Sequence, residues 1–272
     1  MTAGRALALS CHPGPVVAVT ALTLALALTA GHGAGRWALL TAAVLTGQLS
    51  VGWCNDAYDA RRDIVNGRRD KPVAAGTVGR GTVWRAAFGA LALCVPLSLA
   101  CGVLAGTAHL IAVAAAWAYN LRLKATPLSW LPYAIGFASL PALVSLSLPG
   151  SPWPAWWAVT GGALLGVGAH LADVLPDIRG DLATGVRGLP HRLGATGSRL
   201  LLPVPLVAAS VVLTLGPGRT GAGAVLVPLA AGALAVAGLL LGRRRGKAPF
   251  VAAVAVAALD VGLLMAHGTG VA

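Results

Sequence analysis

Glutamate is absent from this sequence, whose 272 residues carry just eight acidic side chains, all aspartate. Charged residues of both signs make up 10% of the chain, against roughly 25% in a soluble globular domain. That polar surface is too small to cover a water-exposed body of this size. A soluble fold is excluded, and a bilayer must solvate most of the chain. Aromatic residues are also scarce, at 5%. Cysteine is limited to Cys11, Cys54, Cys94 and Cys101, with no CxxC pair. Neither a disulfide framework nor a metal centre built on cysteine is expected, and the four read as small packing residues. Ten residues precede Cys11, too few for the charged and apolar regions of a secretory leader, so no cleaved leader is expected.

What is present is apolar. Hydrophobic residues make up 57% of the chain and the mean hydropathy is +0.80. Runs long enough to be transmembrane helices, bounded by Gly, Pro or charge, fall near 15–31, 37–54, 84–104, 106–119, 128–148, 154–172, 199–216, 221–241 and 249–267. They predict an all-α integral membrane protein of nine transmembrane helices, one membrane domain over 1–272, with polar loops near 55–83 and 173–198. Placing the N-terminus on the cytoplasmic side puts 18 of the 20 basic residues inside, among them Arg243, Arg244, Arg245 and Lys247, and leaves Arg36 and Arg219 outside. A miscounted helix would scramble that asymmetry. The expected location is the plasma membrane of a bacterial cell, crossed many times. The net charge of +12 lies between apolar runs and not along one soluble face, so it points to membrane lipids as partners and excludes nucleic acid.

Seven of the eight aspartates gather in two places: Asp56, Asp59, Asp63 and Asp70, and then Asp173, Asp177 and Asp181. Both groups follow apolar runs that end on the expected cytoplasmic side. At 100° per residue, Asp56, Asp59 and Asp63 share one helical face, and Asp173, Asp177 and Asp181 share another. Pro176 inside the second group weakens that reading for Asp173, because proline breaks a helix. Clustered carboxylates repel one another unless a cation neutralises them, so an alanine in either cluster is expected to leave stability nearly intact. Hard oxygen ligands suit Mg²⁺, which is commonly shared with substrate phosphates. Arg68, Arg69 and Lys71 follow the first group, and Arg179 and Arg187 accompany the second; arginine matches phosphate oxygens bidentately. Asp70 reads equally as a loop ion pair or a ligand. His170, one turn before Asp173, is a candidate base or a bundle hydrogen bond. Asp260, alone in mid-span, is either functional or a bridge between helices.

At these residues the chain resembles the UbiA superfamily of intramembrane prenyltransferases. The family's NDxxDxxxD motif stands in full from Asn55 to Asp63. Arg68 to Pro72, RRDKP, is similar to the RPDRP stretch, with Arg69 and Lys71 in place of proline and arginine. The second motif, DxxxDxxxD, is Asp173, Asp177 and Asp181, and its tail GxRTLPxxLG runs from Gly185 to Gly194 with Gly188 replacing threonine. Tyr119 to Lys124 resembles the tyrosine-to-lysine segment after the fourth helix. The resemblance implies a UbiA-like bundle around a central cavity and a Mg²⁺-dependent prenyltransferase. Such an enzyme moves an isoprenoid group from a prenyl diphosphate to a lipophilic or aromatic acceptor and releases pyrophosphate. It assigns Asn55, Asp56, Asp59 and Asp63 to one metal and Asp173, Asp177 and Asp181 to the other, with Asp56, Asp59, Asp177 and Asp181 carrying catalysis. Asn55, Arg68, Lys71, Tyr119, Lys124 and Arg187 are the implied substrate-binding groups. Trp53, Trp117, Trp130 and Tyr133 are candidates to face the allylic cation. A UbiA-type terpene cyclase would use the same aspartates without an acceptor, but would want more aromatic walls. A channel would place its carboxylates near the membrane midplane, and a CDP-alcohol phosphotransferase would show DGxxAR, which is absent.

Overall fold

In hydrocarbon every backbone N–H and C=O must be bonded within its own segment, which leaves helices as the economical answer for apolar runs of this length. The structure, a computed structural model, describes residues 2–218, 221–242 and 248–266. Arg219, Arg243, Arg244, Arg245 and Lys247, which carry part of the charge asymmetry, lie outside the described residues. The helices are α1 (Ala3–Leu9), α2 (Pro13–Thr29), α3 (Ala34–Val65), α4 (Arg80–Ala100), α5 (Val103–Leu121), α6 (Leu131–Leu146), α7 (Trp156–Val174), α8 (Ile178–Ala183), α9 (Leu189–Leu201), α10 (Pro203–Leu215), α11 (Ala222–Gly242) and α12 (Ala248–Ala266). No strand occurs among the described residues.

Each predicted apolar run lies on a helix: α2 to α7 and α10 to α12. Among the described residues five helices are long and apolar enough to cross a membrane, or seven if the bent pairs α1/α2 and α9/α10 each make one span. The short helix α6 has 16 residues, fewer than the roughly 20 that a hydrocarbon core requires untilted.

Neighbours in sequence pack in turn, from α2 on α3 through α6 on α7 to α10, α11 and α12, and α12 returns to α2. The bundle therefore closes on itself. Two glycines bring α6 and α7 together: a Cβ at Gly162 would lie 2.8 Å from the Phe137 carbonyl oxygen, and one at Gly166 would overlap the Tyr133 carbonyl. Close backbone approach through small residues is how helices associate where lipid removes the hydrophobic drive. One apolar core gathers Leu26, Leu40, Val44, Leu143 and Leu213; a second lies around Leu171, Leu206 and Val256. A third, small core of Ala6, Ala57, Ala60, Val73, Val78 and Val83 sits under the loop between α3 and α4 and holds it against α1. Leu93, Ile111 and Leu229 project outward, the surface a bilayer would solvate. The buried Asp260 carboxylate on α12 accepts a hydrogen bond from Ser210 on α10 and so bridges two helices.

Candidate active site at the motif end of the bundle

Helix α3 runs unbroken for 32 residues and carries the first motif on its last turns. The spacing puts Asp56, Asp59 and Asp63 on its inner face as expected, at 1%, 3% and 4% exposure. Buried carboxylates demand partners, and the chain supplies them. Lys71 Nζ lies 3.7 Å from Asp56 Oδ1 and 3.4 Å from Asp63 Oδ2. Lys124 donates to Asp59 Oδ1, and Arg62 Nη2 donates to Asp59 Oδ2 at 2.7 Å. Asn55 Nδ2 donates to Asn120 Oδ1 at 3.1 Å, and Asn120 Nδ2 donates to the Val51 carbonyl at 2.9 Å, which fastens the end of α5 to α3.

The second motif does not form one helical face. Helix α7 stops at Val174, Pro176 occupies the break, and α8 begins only at Ile178 with Asp177 in its N-cap position. Asp173 therefore ends one helix while Asp181 sits inside the next, because proline offers no N–H to continue the ladder. Asp173 Oδ2 accepts from the Tyr133 hydroxyl at 2.6 Å. Asp181 Oδ2 lies 3.1 Å from His191 Nε2, and its Oδ1 is 3.9 Å from Arg62 Nη2. Arg68 Nη1 donates to Asp177 Oδ1 at 3.4 Å. The same guanidinium makes paired 3.1 Å bonds to both oxygens of Asp70, so Asp70 is an ion-pair partner and not a convergent ligand.

Two cavities open at this end. One of about 660 Å³ is lined by Tyr58, Asp59, Arg62, Arg122, Lys124 and the loop at Thr184; one of about 130 Å³ lies between His12, Asp56, Arg68 and Lys71. The rings of Tyr119 and Tyr133 meet edge to face at 5.2 Å, and both contact His170, whose Nε2 is hydrogen-bonded with the Ser129 hydroxyl. Arg187 is exposed on the loop that follows α8. Trp53 donates to the Leu7 carbonyl, and Trp117 donates to Ser50 and packs with Trp84 and Phe88; Trp130 caps the start of α6. Trp53 and Trp117 are thus committed to packing, and of the four aromatic candidates Tyr133 is the one bonded to a motif aspartate. Sequence reasoning missed Arg62, Asn120, Ser129 and His191 as site residues. Arg62 and His191 stood inside the motifs, but nothing local marks which cation will reach which carboxylate.

Charge placement shifts the groups outside the long apolar helices. The Asp70 bonds push the Arg68 guanidinium up from its ordinary range and hold Asp70 down. Burial pushes Lys124 down against the opposing pull of Asp59. Burial alone would raise Asp181, but His191 and Arg62 hold it below the usual carboxylate range.

Among the described residues no three His, Cys, Asp or Glu side chains converge as a metal site. The chain's own lysines and arginines interleave with the aspartates instead, as buried like charges require. The donors nevertheless fit Mg²⁺. Asp56 Oδ2 is a buried oxygen without a hydrogen-bond partner, and Asp63 Oδ2 has only its 3.4 Å ion pair with Lys71; this ion typically takes one or two carboxylates plus phosphate oxygens and water.

The model of the UbiA prenyltransferase family matches residues 16–259. The chain belongs to this family. As a UbiA family member it is 28% identical over 163 residues to the digeranylgeranylglyceryl phosphate synthase of Methanopyrus kandleri. That stretch is 59% of this chain, and it spans 58% of the relative's length. The fold matches a solved digeranylgeranylglyceryl phosphate synthase at a TM-score of 0.72 and 14% identity, over 99% of this chain and all of that one. It also matches a UbiA homologue from Archaeoglobus fulgidus, bound to GPP and Mg²⁺, at a TM-score of 0.70 and 15% identity over 98% of this chain and 100% of that one. These solved structures share the UbiA fold that the bundle adopts.

Proposed function

We propose that this chain transfers an isoprenoid group from a prenyl diphosphate to a lipophilic acceptor and releases pyrophosphate. One observation carries the reading: cations tie the two aspartate motifs into a single site. Arg62 reaches both Asp59 and Asp181, and Arg68 reaches Asp177 across 109 residues of sequence. Such interleaved fixed charges fit a ligand that brings both a cation and a polyanion. A phosphate group would draw Arg68, Lys71 and Lys124 away from the carboxylates and gain Arg187 as a further contact, and Asp56, Asp59, Asp63, Asp173, Asp177 and Asp181 would turn toward metal. Bound Mg²⁺ would supply neutralisation of the charge that builds on the leaving oxygen. Asn55 and Tyr119 would orient the diphosphate, and the Tyr119 and Tyr133 rings would face the allylic carbon as its C–O bond breaks. The acceptor then forms the new bond and gives up a proton. Relatives with GPP and Mg²⁺ bound, and a relative named for a lipid phosphate product, support this assignment of donor and acceptor class.

The same reading places all nine apolar helices across the plasma membrane, with the N-terminus and both motifs on the cytoplasmic side. Lipids extracted from cells carrying either the wild-type chain or Asp59→Ala test the reaction. A prenylated species present only with the wild type is the expected outcome. Purified protein given geranylgeranyl diphosphate and Mg²⁺ without acceptor should yield little product; a cyclic hydrocarbon as the main product would overturn transfer.

A further inference from the structure

Ser129 stands where three distant segments meet. Its hydroxyl accepts a hydrogen bond from the Leu189 backbone N–H at 2.9 Å and lies 3.0 Å from His170 Nε2 on α7. With Leu189 as donor, the serine's own proton is available to His170, so one hydroxyl serves both neighbours. Both side chains are completely buried. The third segment is the turn Leu123–Ala125, which carries Lys124. A Cβ at Gly188 would stand 2.5 Å from the Lys124 carbonyl oxygen and 2.8 Å from Ser129 Oγ. Gly188 has an ordinary φ of −65°, so the site requires glycine for space and not for backbone freedom.

The connection continues inward. The His170 ring packs on Tyr133 at 4.9 Å between centroids, and the Tyr133 hydroxyl donates to Asp173 at 2.6 Å. One serine therefore links the turn bearing Lys124, the helix end bearing Asp173 and the loop bearing Arg187. Ser139, within α6, shows the contrast. It is buried too, but its hydroxyl donates to Gly136 within its own helix and joins nothing else.

We infer that Ser129 and His170 are positioning residues for diphosphate capture, setting the spacing among Lys124, Asp173 and Arg187. This rests on the proposed assignment of those three groups to the diphosphate and its metal. A polyanion gripped from three segments binds well only if the grips are preorganised, and a buried hydroxyl bonded to both the Leu189 N–H and His170 Nε2 ties those segments together. The reacting atoms are not touched by either residue.

The test uses the full chain in detergent, with geranyl diphosphate titrated in the presence of Mg²⁺. Ser129→Ala should weaken its binding about tenfold, the equivalent of one lost hydrogen bond, and Ser139→Ala should leave it within about twofold. Gly188→Ala should cause a similar loss by steric displacement at the same junction. Because both act through one contact, the double variant should lose less than the product of the two single losses, whereas independent structural damage would multiply. Hydrogen exchange should rise at the amides of 186–192 in Ser129→Ala while that of α3 stays unchanged. Unaltered affinity in Ser129→Ala, or multiplying losses in the double variant, would overturn the positioning role. Failure of the wild-type chain itself to bind geranyl diphosphate would instead remove the site assignment beneath it.

Discussion

Asp59 and Asp177 occupy equivalent places in the two motifs but live in different surroundings, and the difference separates two effects of mutation. Asp59 is 3% exposed, with Lys124 and Arg62 bonded to it; Asp177 is 53% exposed with one long contact to Arg68. Repulsion among carboxylates would leave alanine variants of either residue stable, but repulsion is not the dominant interaction at Asp59. Removing it strands the buried Lys124 ammonium, and an uncompensated buried charge costs about 3–5 kcal/mol. We therefore expect Asp59→Ala to lose both turnover and thermal stability, while Asp177→Ala loses turnover and melts near the wild-type temperature. If each contributes several kcal/mol to the transition state, the rate falls by about three decades at 1.36 kcal/mol per decade. EDTA should reproduce the kinetic loss, and added Mg²⁺ should restore the wild type alone. Retention of more than about a tenth of turnover in Asp177→Ala would refute the shared role of the motifs. Lys124→Met removes the ammonium instead and leaves Asp59 to Arg62, so its melting point should fall less than that of Asp59→Ala.

The α6–α7 pair is where packing and chemistry meet most directly. Gly162 and Gly166 let the two backbones touch, and Tyr133, whose carbonyl lies against Gly166, sends its hydroxyl to Asp173 at the end of α7. Gly166→Ala cannot be absorbed by a side-chain shift, because the Cβ would meet a backbone carbonyl. Overpacking of this kind costs about 1–3 kcal/mol, and the forced separation should also loosen the Tyr133–Asp173 bond. The expected result is a lower melting temperature together with weaker prenyl diphosphate binding, read by thermal unfolding with and without ligand. Asp260→Asn is the counterpart on α10–α12. An amide can still accept from Ser210, so that variant should keep both stability and turnover, as a bridge between helices requires; a large loss of turnover would make Asp260 functional.

The whole molecule is a closed ring of helices with its polar chemistry gathered at one end. Nine crossings would put the two termini on opposite faces, so reporter fusions should show a cytoplasmic N-terminus and an external C-terminus; both on one side would refute the count. The sequence by itself determined the bilayer as solvent, the places where helices form and the common face of Asp56, Asp59 and Asp63. Those are local consequences of apolar run length and of a rotation of 100° per residue, and both motifs were legible in full. Only the tertiary structure decided that Arg62 joins Asp59 to Asp181, that Arg68 reaches Asp177, and that Trp53 and Trp117 serve packing. The break of the second motif at Pro176 was legible too, as a proline inside the run, and the structure gives it the form of a helix end, an N-cap residue and a short helix. The pairing of buried charges depends on which segments the bundle brings together, and a carboxylate's choice among several nearby cations is set by that packing and not by distance along the chain.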